Sequence, residues 1–136
     1  MKKITLFFIA LFFISCSSSN NNDDVQSFNY VGKWQVSKVV VKKQDGTVIQ
    51  NYDYSTSCYG KSNYNFESSG KVIAYFYTDC NNPETHTGTY NDETKTLSIP
   101  SISTYKVSYE KQTMTLTHNE SVNGENLDFV TFLNKN

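Results

Sequence analysis

The side chains best suited to act as nucleophile, general base or soft metal ligand are three cysteines, Cys16, Cys58 and Cys80, and two histidines, His86 and His118. Their spacing assembles no such centre. His86 lies near Cys80, but no Cys-x-x-Cys pair or histidine motif completes a zinc set. Serines are frequent, yet none sits in a nucleophile elbow, and neither histidine has an evident carboxylate to orient it. Glu84 and His86 would share a face on a strand, although a solvated loop pair accounts for them as well. Glu110 and Asp128 read as members of a wet surface rather than an acid/base pair. The expectation is a chain that catalyses nothing and holds neither metal nor cofactor.

Cys16 has a different setting. Met1-Lys2-Lys3 is cationic, and an apolar stretch of eleven residues runs from Ile4 to Ile14. That length suits a secretory leader and is too short to span a bilayer. Phe13, two tolerant positions and then Cys16 resemble the lipobox of bacterial lipoproteins. The resemblance implies that residues 1–15 are a signal peptide and that Cys16 carries lipid. Ordinary signal cleavage and an uncleaved helix are the alternatives. Multiple acyl chains anchor stably, since each buried methylene contributes about 0.8 kcal/mol. The following run, Ser17 to Asp24, has nothing apolar to bury, so residues 16–27 are expected to be a disordered tether. Its acidic residues resemble export signals of surface-displayed lipoproteins, and a solvated linker would look the same. The expected location is the outer membrane or cell surface, with the membrane as a partner through the lipid.

Residues 28–136 then form one domain with room for a core. Ten tyrosines, five of the nine phenylalanines (the other four lie in the leader) and only two prolines favour pleated sheet. No window repeats its apolar residues at the helical period. All twelve cationic residues are lysines, spread singly or in pairs, so a basic face with bidentate guanidinium contacts is missing and nucleic acid is not an expected partner. With Cys16 lipidated outside the cytoplasm, Cys58 and Cys80 remain as an even pair in an oxidising compartment, which argues for a disulfide.

Short alternating segments follow one another along the domain. Gly32 to Val41 opens it, Asp45-Gly46 signals a hairpin, and Thr47-Val48-Ile49 begins the return. Asn51 to Lys61 reads as a polar loop. Tyr64 and Phe66 alternate with asparagines, Ser68-Ser69-Gly70 turns, and Lys71 to Tyr77 comes back. A turn centred on Ser69 pairs Phe66 with Val72, Tyr64 with Ala74 and, carried onward, Cys58 with Cys80 as opposed strand residues. Further strands are expected at Thr87–Tyr90, Thr96–Ile99, Tyr105–Tyr109, Thr113–Thr117 and Leu127–Leu133, with Asn119 to Asn126 as a loop. The connections are too short for parallel crossovers. The expected fold is all-β, an antiparallel up-and-down barrel of about eight strands.

Gly32-x-Trp34, the first cysteine loop, Tyr64-Asn65-Phe66, the Ser-Gly turn, the second cysteine, Gly88-Thr89-Tyr90 and Met114-Thr115-Leu116-Thr117 resemble, in that order, the lipocalin-like bacterial lipoproteins. The resemblance implies that Trp34 closes one end of the barrel. Lacking arginine, the chain is expected to leave that ring without the basic partner lipocalins use, and it is expected to lack the helix packed on the outside after the last strand. An eight-stranded barrel is either filled by side chains or holds one small ligand. Candidate contacts for a small hydrophobic ligand are Trp34, Tyr64, Phe66, Phe76, Tyr105, Met114 and Phe129, and core packing is the competing use of each. The alternative function is an envelope interaction module with a filled barrel, using the loops Asn51–Lys61 and Asn119–Asn126. A hollow of some hundreds of Å3 at one end would separate the two.

Overall fold

A computed structural model describes residues 29–136. The signal segment 1–15, Cys16 and the tether 16–27 lie outside the described residues.

Nine antiparallel strands make eight staves of one closed barrel. They are β1 (Gly32–Lys43), β2 (Val48–Asp53), β3 (Asn63–Phe66), β4 (Lys71–Phe76), β5 (Glu84–Asn91), β6 (Thr96–Ile99), β7 (Ser103–Glu110), β8 (Thr113–Val122) and β9 (Glu125–Lys135). Strands β3 to β9 pair in sequence order, and β9 closes on β1. One edge of β1 pairs with β9 along nearly its whole length. The other edge is shared: Gly32–Gln35 pair with β3, and Lys38–Lys42 pair with β2. The handover falls at Ser37, where the β1–β9 register shifts. There the Ser37 hydroxyl donates to the Phe132 carbonyl at 3.1 Å, and the Ser37 carbonyl accepts from Tyr54 N–H at 3.0 Å.

The turns follow from residues that tolerate positive φ. Gly46 (φ 87°) closes the β1–β2 hairpin with its N–H on the Lys43 carbonyl, and Asp45 Oδ1 accepts from Thr47 N–H at 2.8 Å. Asn123 (φ 53°) and Gly124 (φ 83°) form the two-residue turn between β8 and β9. The expected loop Asn119–Asn126 is therefore mostly strand. Much of Asn51–Lys61 is also regular, as the end of β2 and a 3-10 turn at Tyr59–Lys61. The strand parts of both segments carry polar side chains because both faces are wet there, while Tyr54–Cys58 is loop as expected.

The β3–β4 hairpin has the expected register, with Tyr64 opposite Ala74 and Phe66 opposite Val72. Cys58 and Cys80 are bonded, with Cα atoms 4.7 Å apart. They are not strand residues, however. Cys58 caps the 3-10 turn and Cys80 lies in the β4–β5 loop, so the bond joins two loops beyond the last ladder pair, Asn63–Tyr75.

Large inward side chains fill one end. Trp34, Phe66, Val72, Leu97, Met114, Leu116 and Leu133 have almost no exposed surface. Burying each such side chain contributes about 1.5–3 kcal/mol. Trp34 Nε1 donates to the Tyr30 carbonyl at 2.7 Å, and Tyr30 packs edge-on against Phe66 and Tyr90. The ring does have a cation: Lys135 Nζ lies 5.3 Å from its centroid and donates to the Asn29 carbonyl. Lysine from the end of β9 takes the place that was expected to stay empty without arginine. Beside this end, the Tyr90 and Tyr109 hydroxyls lie 2.6 Å apart and both within reach of Asp92 Oδ1, so that one phenol donates to the other and the second donates to the carboxylate. Lys95 donates to the same carboxylate.

Candidate functional site

The other end is hollow. A cavity of about 750 Å3 opens between β2, the 3-10 turn, the end of β4, the β6–β7 turn and the β8–β9 hairpin. Inward positions of the strands supply its walls: Val39, Tyr52, Tyr64, Phe76, Tyr105, His118, Glu120, Phe129 and Thr131. They face in because β-strand side chains alternate, and the ladders place Val39 beside both Tyr52 and Thr131, and His118 beside Phe129. Tyr54, Tyr59, Ile102, Ser103 and Asn119 complete the rim.

Aromatic rings set the geometry. Tyr52 and Tyr54 stack at 6.1 Å, and Tyr54 meets Tyr59 at 4.6 Å. Tyr64 meets Phe76 edge-on at 5.6 Å on the floor. The His118 ring stacks on Phe129 and takes the edge of Tyr105, each at 5.2 Å. The Cys58–Cys80 bond anchors this wall, since Tyr59 directly follows Cys58. Gly60 is required beneath it, because a Cβ there would lie 1.9 Å from the Tyr54 carbonyl oxygen.

The polar groups of the cavity are phenols, one imidazole, one carboxylate, the Ser103 and Thr131 hydroxyls and the Asn119 amide. Burial pushes the Tyr64 phenol well up, with Tyr105 beside it adding to the effect. Burial likewise pushes Tyr105 up to about 12. Burial pushes His118 down, against the pull of Glu120, so the ring is uncharged at neutral pH. Its Nε2 lies 3.8 Å from Glu120 Oε2, while its buried Nδ1 has no hydrogen-bond partner.

Four of the seven sequence candidates line this cavity: Tyr64, Phe76, Tyr105 and Phe129. Trp34, Phe66 and Met114 do not; they are packed into the filled end with at most 1% of their surface exposed. Tyr52, Tyr54, Tyr59, His118 and Glu120 were not among the candidates. Only the Asn51–Lys61 tyrosines carried a signal, as an aromatic cluster in a segment too polar to be core.

Glu84 and His86 do share a face of β5, with His86 Nε2 at 3.7 Å from Glu84 Oε2 and Nδ1 at 3.0 Å from Ser101 Oγ. The His86 ring rests 5.5 Å from Phe76. Glu110 and Asp128 are far apart in use: Glu110 borders an outer hollow, and Asp128 accepts from Gln44 and Asn119. That outer hollow, of about 1110 Å3, lies on the outward face of the barrel, where Lys38 Nζ sits 4.4 Å over the Phe132 ring. Among the described residues no group of three or more His, Cys, Asp or Glu side chains is placed to hold a metal.

No protein-family model matches the chain, and no curated protein matches it significantly. Among solved structures, an uncharacterized protein from Bacteroides eggerthii superposes with a TM-score of 0.48 at 20% identity, covering 79% of this chain and all of the other. Aphrodisin, a sex pheromone from female hamster, superposes with a TM-score of 0.44 at 13% identity, covering 77% of this chain and 74% of its own. The architecture itself, an up-and-down barrel of eight staves with a tryptophan buried at one end, is the one that the lipocalin resemblance implied.

Proposed function

We propose that this chain is a membrane-anchored lipoprotein whose barrel carries or senses a small ligand in its open end. The cavity of about 750 Å3 carries this reading. It falls within the size range of small-molecule sites, has apolar ring faces with a few convergent polar groups, and is supported by a rigid, filled lower half. The interaction-module alternative loses one of its two loops, because Asn119–Asn126 is a tight hairpin.

The anchor rests on the lipobox at Cys16 and implies display at the outer membrane or cell surface. Cys16→Ser is expected to move the protein from the membrane to the soluble fraction; continued membrane fractionation of that variant would remove the anchor from the proposal. Native mass spectrometry of the purified protein is expected to reveal a co-purifying small molecule or, after stripping, 1:1 uptake of the neutral apolar probe N-phenyl-1-naphthylamine. Uptake that is unchanged by Tyr105→Ala and Phe129→Ala would place the binding elsewhere and refute the cavity as the site.

A further inference from the structure

The charge inside the mouth is one-sided. Glu120 is the only ionised side chain among the residues lining the cavity, and none of the lining residues is a lysine. Four of the described lysines have partners elsewhere, and Lys106 lines a separate hollow. Lys38 covers Phe132 outside, Lys43 pairs with Glu125 at the hairpin tips, Lys61 donates to the Cys80 carbonyl, and Lys135 caps Trp34. A carboxylate ligand entering this space would leave water without a counter-charge and would approach Glu120, which is unfavourable on both counts. A long-chain acid is thus poorly suited to it.

The ring faces point the other way. Aromatic faces carry partial negative charge and attract cations, more strongly where water is excluded. Tyr52, Tyr54 and Tyr59 form a contiguous aromatic wall, and Phe76, Tyr105 and Phe129 line the space with it. His118 directs Nε2 toward Glu120 Oε2 at 3.8 Å and stacks on Phe129, which seats the carboxylate beside the ring faces.

We propose that the mouth takes a cationic aromatic amine, an arylalkylammonium whose ring lies among Tyr54, Tyr59, Phe76 and Phe129 and whose ammonium group is met by Glu120. This rests on the reading of the cavity as the ligand site, and it narrows that reading to one sign of charge.

The test compares matched pairs by calorimetry on the full-length protein: tyramine with 4-hydroxyphenylacetate, and tryptamine with indole-3-acetate. Uptake of N-phenyl-1-naphthylamine serves as the separate measure of cavity binding. Each amine is expected to bind at least about tenfold more tightly than its carboxylate partner, and Glu120→Gln is expected to reduce that ratio to about threefold or less. Equal or reversed preference overturns the inference, as does a preference that Glu120→Gln leaves intact. If the probe enters the cavity but neither amine binds or displaces it, the inference fails and the cavity reading stands. If neither probe nor amine binds, both fall.

Discussion

Removing the Cys58–Cys80 bond by the double change Cys58→Ala, Cys80→Ala tests both the fold and the hollow end. The bond spans a sequence separation of 22 residues. Chain-entropy arithmetic for a closed loop of that size gives about 3 kcal/mol, gained because the unfolded chain is restricted. For a domain near 100 residues that corresponds to a fall of roughly 12–24 °C in Tm. The β3–β4 ladder and the core around Trp34 do not depend on the bond, so the far-ultraviolet dichroism of the folded state should be unchanged. Cys80 is exposed, which makes the bond accessible to reductant. Dithiothreitol should therefore lower the Tm of the parent protein by the same amount and leave the double variant unaffected. Because Tyr59 adjoins Cys58 in the cavity wall, the double variant should also bind N-phenyl-1-naphthylamine more weakly. A Tm shift of less than about 3 °C, which is under 1 kcal/mol here, would refute the claim that the bond braces the domain. So would an effect of reductant on the double variant.

Trp34→Ala should cost about 3–5 kcal/mol, measured as a shift in urea midpoint at constant slope, because the ring is wholly buried and its space cannot collapse between Phe66 and Leu133. Gly60→Ala forces its Cβ against the Tyr54 carbonyl, a backbone atom, so it should cost about 1–3 kcal/mol by thermal melting and weaken probe binding together. Stability should also depend on pH in two windows, followed by the urea midpoint. His118 is held below its ordinary value of 6.5, so the unfolded chain takes up that proton first. Its contribution is complete above pH 6.5 and is lost as the pH falls below it, and His118→Phe should remove that window. Asp92 is held down to about 2 by Lys95 and the two tyrosines, against an ordinary 3.8, so its contribution is present above pH 3.8 and is lost toward pH 2. This second effect is small and fades with added salt, because the carboxylate is largely exposed.

What could be read from the sequence depended on whether a strand had one wet face. Tyr64 and Phe66 alternate with polar neighbours and end at a glycine with φ 82°, so the β3–β4 register was legible down to individual pairs. Strand β2 was legible only at its start, because every residue from Val48 to Asp53 is exposed and no buried face marks its period. The same loss of contrast hid the outer half of β8, where Asn119, Glu120 and Ser121 continue the ladder beyond the core. Asn123-Gly124 is itself a strong turn signal, but its flanking residues are polar without alternation and so read as loop. The missed cavity residues share this origin: Tyr52, His118 and Glu120 stand on those half-wet extensions.

The hollow end and the strands that were hard to read are one feature. Below Ser37, β1 is flanked by β3 and β9, each continued by further strands, and the enclosed space is narrow enough for Trp34, Phe66 and Leu133 to fill. Above Ser37 the stave beside β1 is β2, and among the described residues no strand pairs with its outer edge. There the wall is closed instead by the Tyr54–Tyr59 contact and the disulfide loop, which cover less than a strand would. A polar register on β2 and β8 is what permits this opening, since an apolar one would collapse inward and continue the core. The alternation that fails as a secondary-structure signal is thus the condition for having a cavity. Restoring it, for instance with Gln50→Leu and Glu120→Leu at the inward register positions opposite Val41 and Leu127, should raise the Tm while abolishing uptake of the probe. A variant that became more stable and still bound the probe with unchanged affinity would break the link between the open stave and the site.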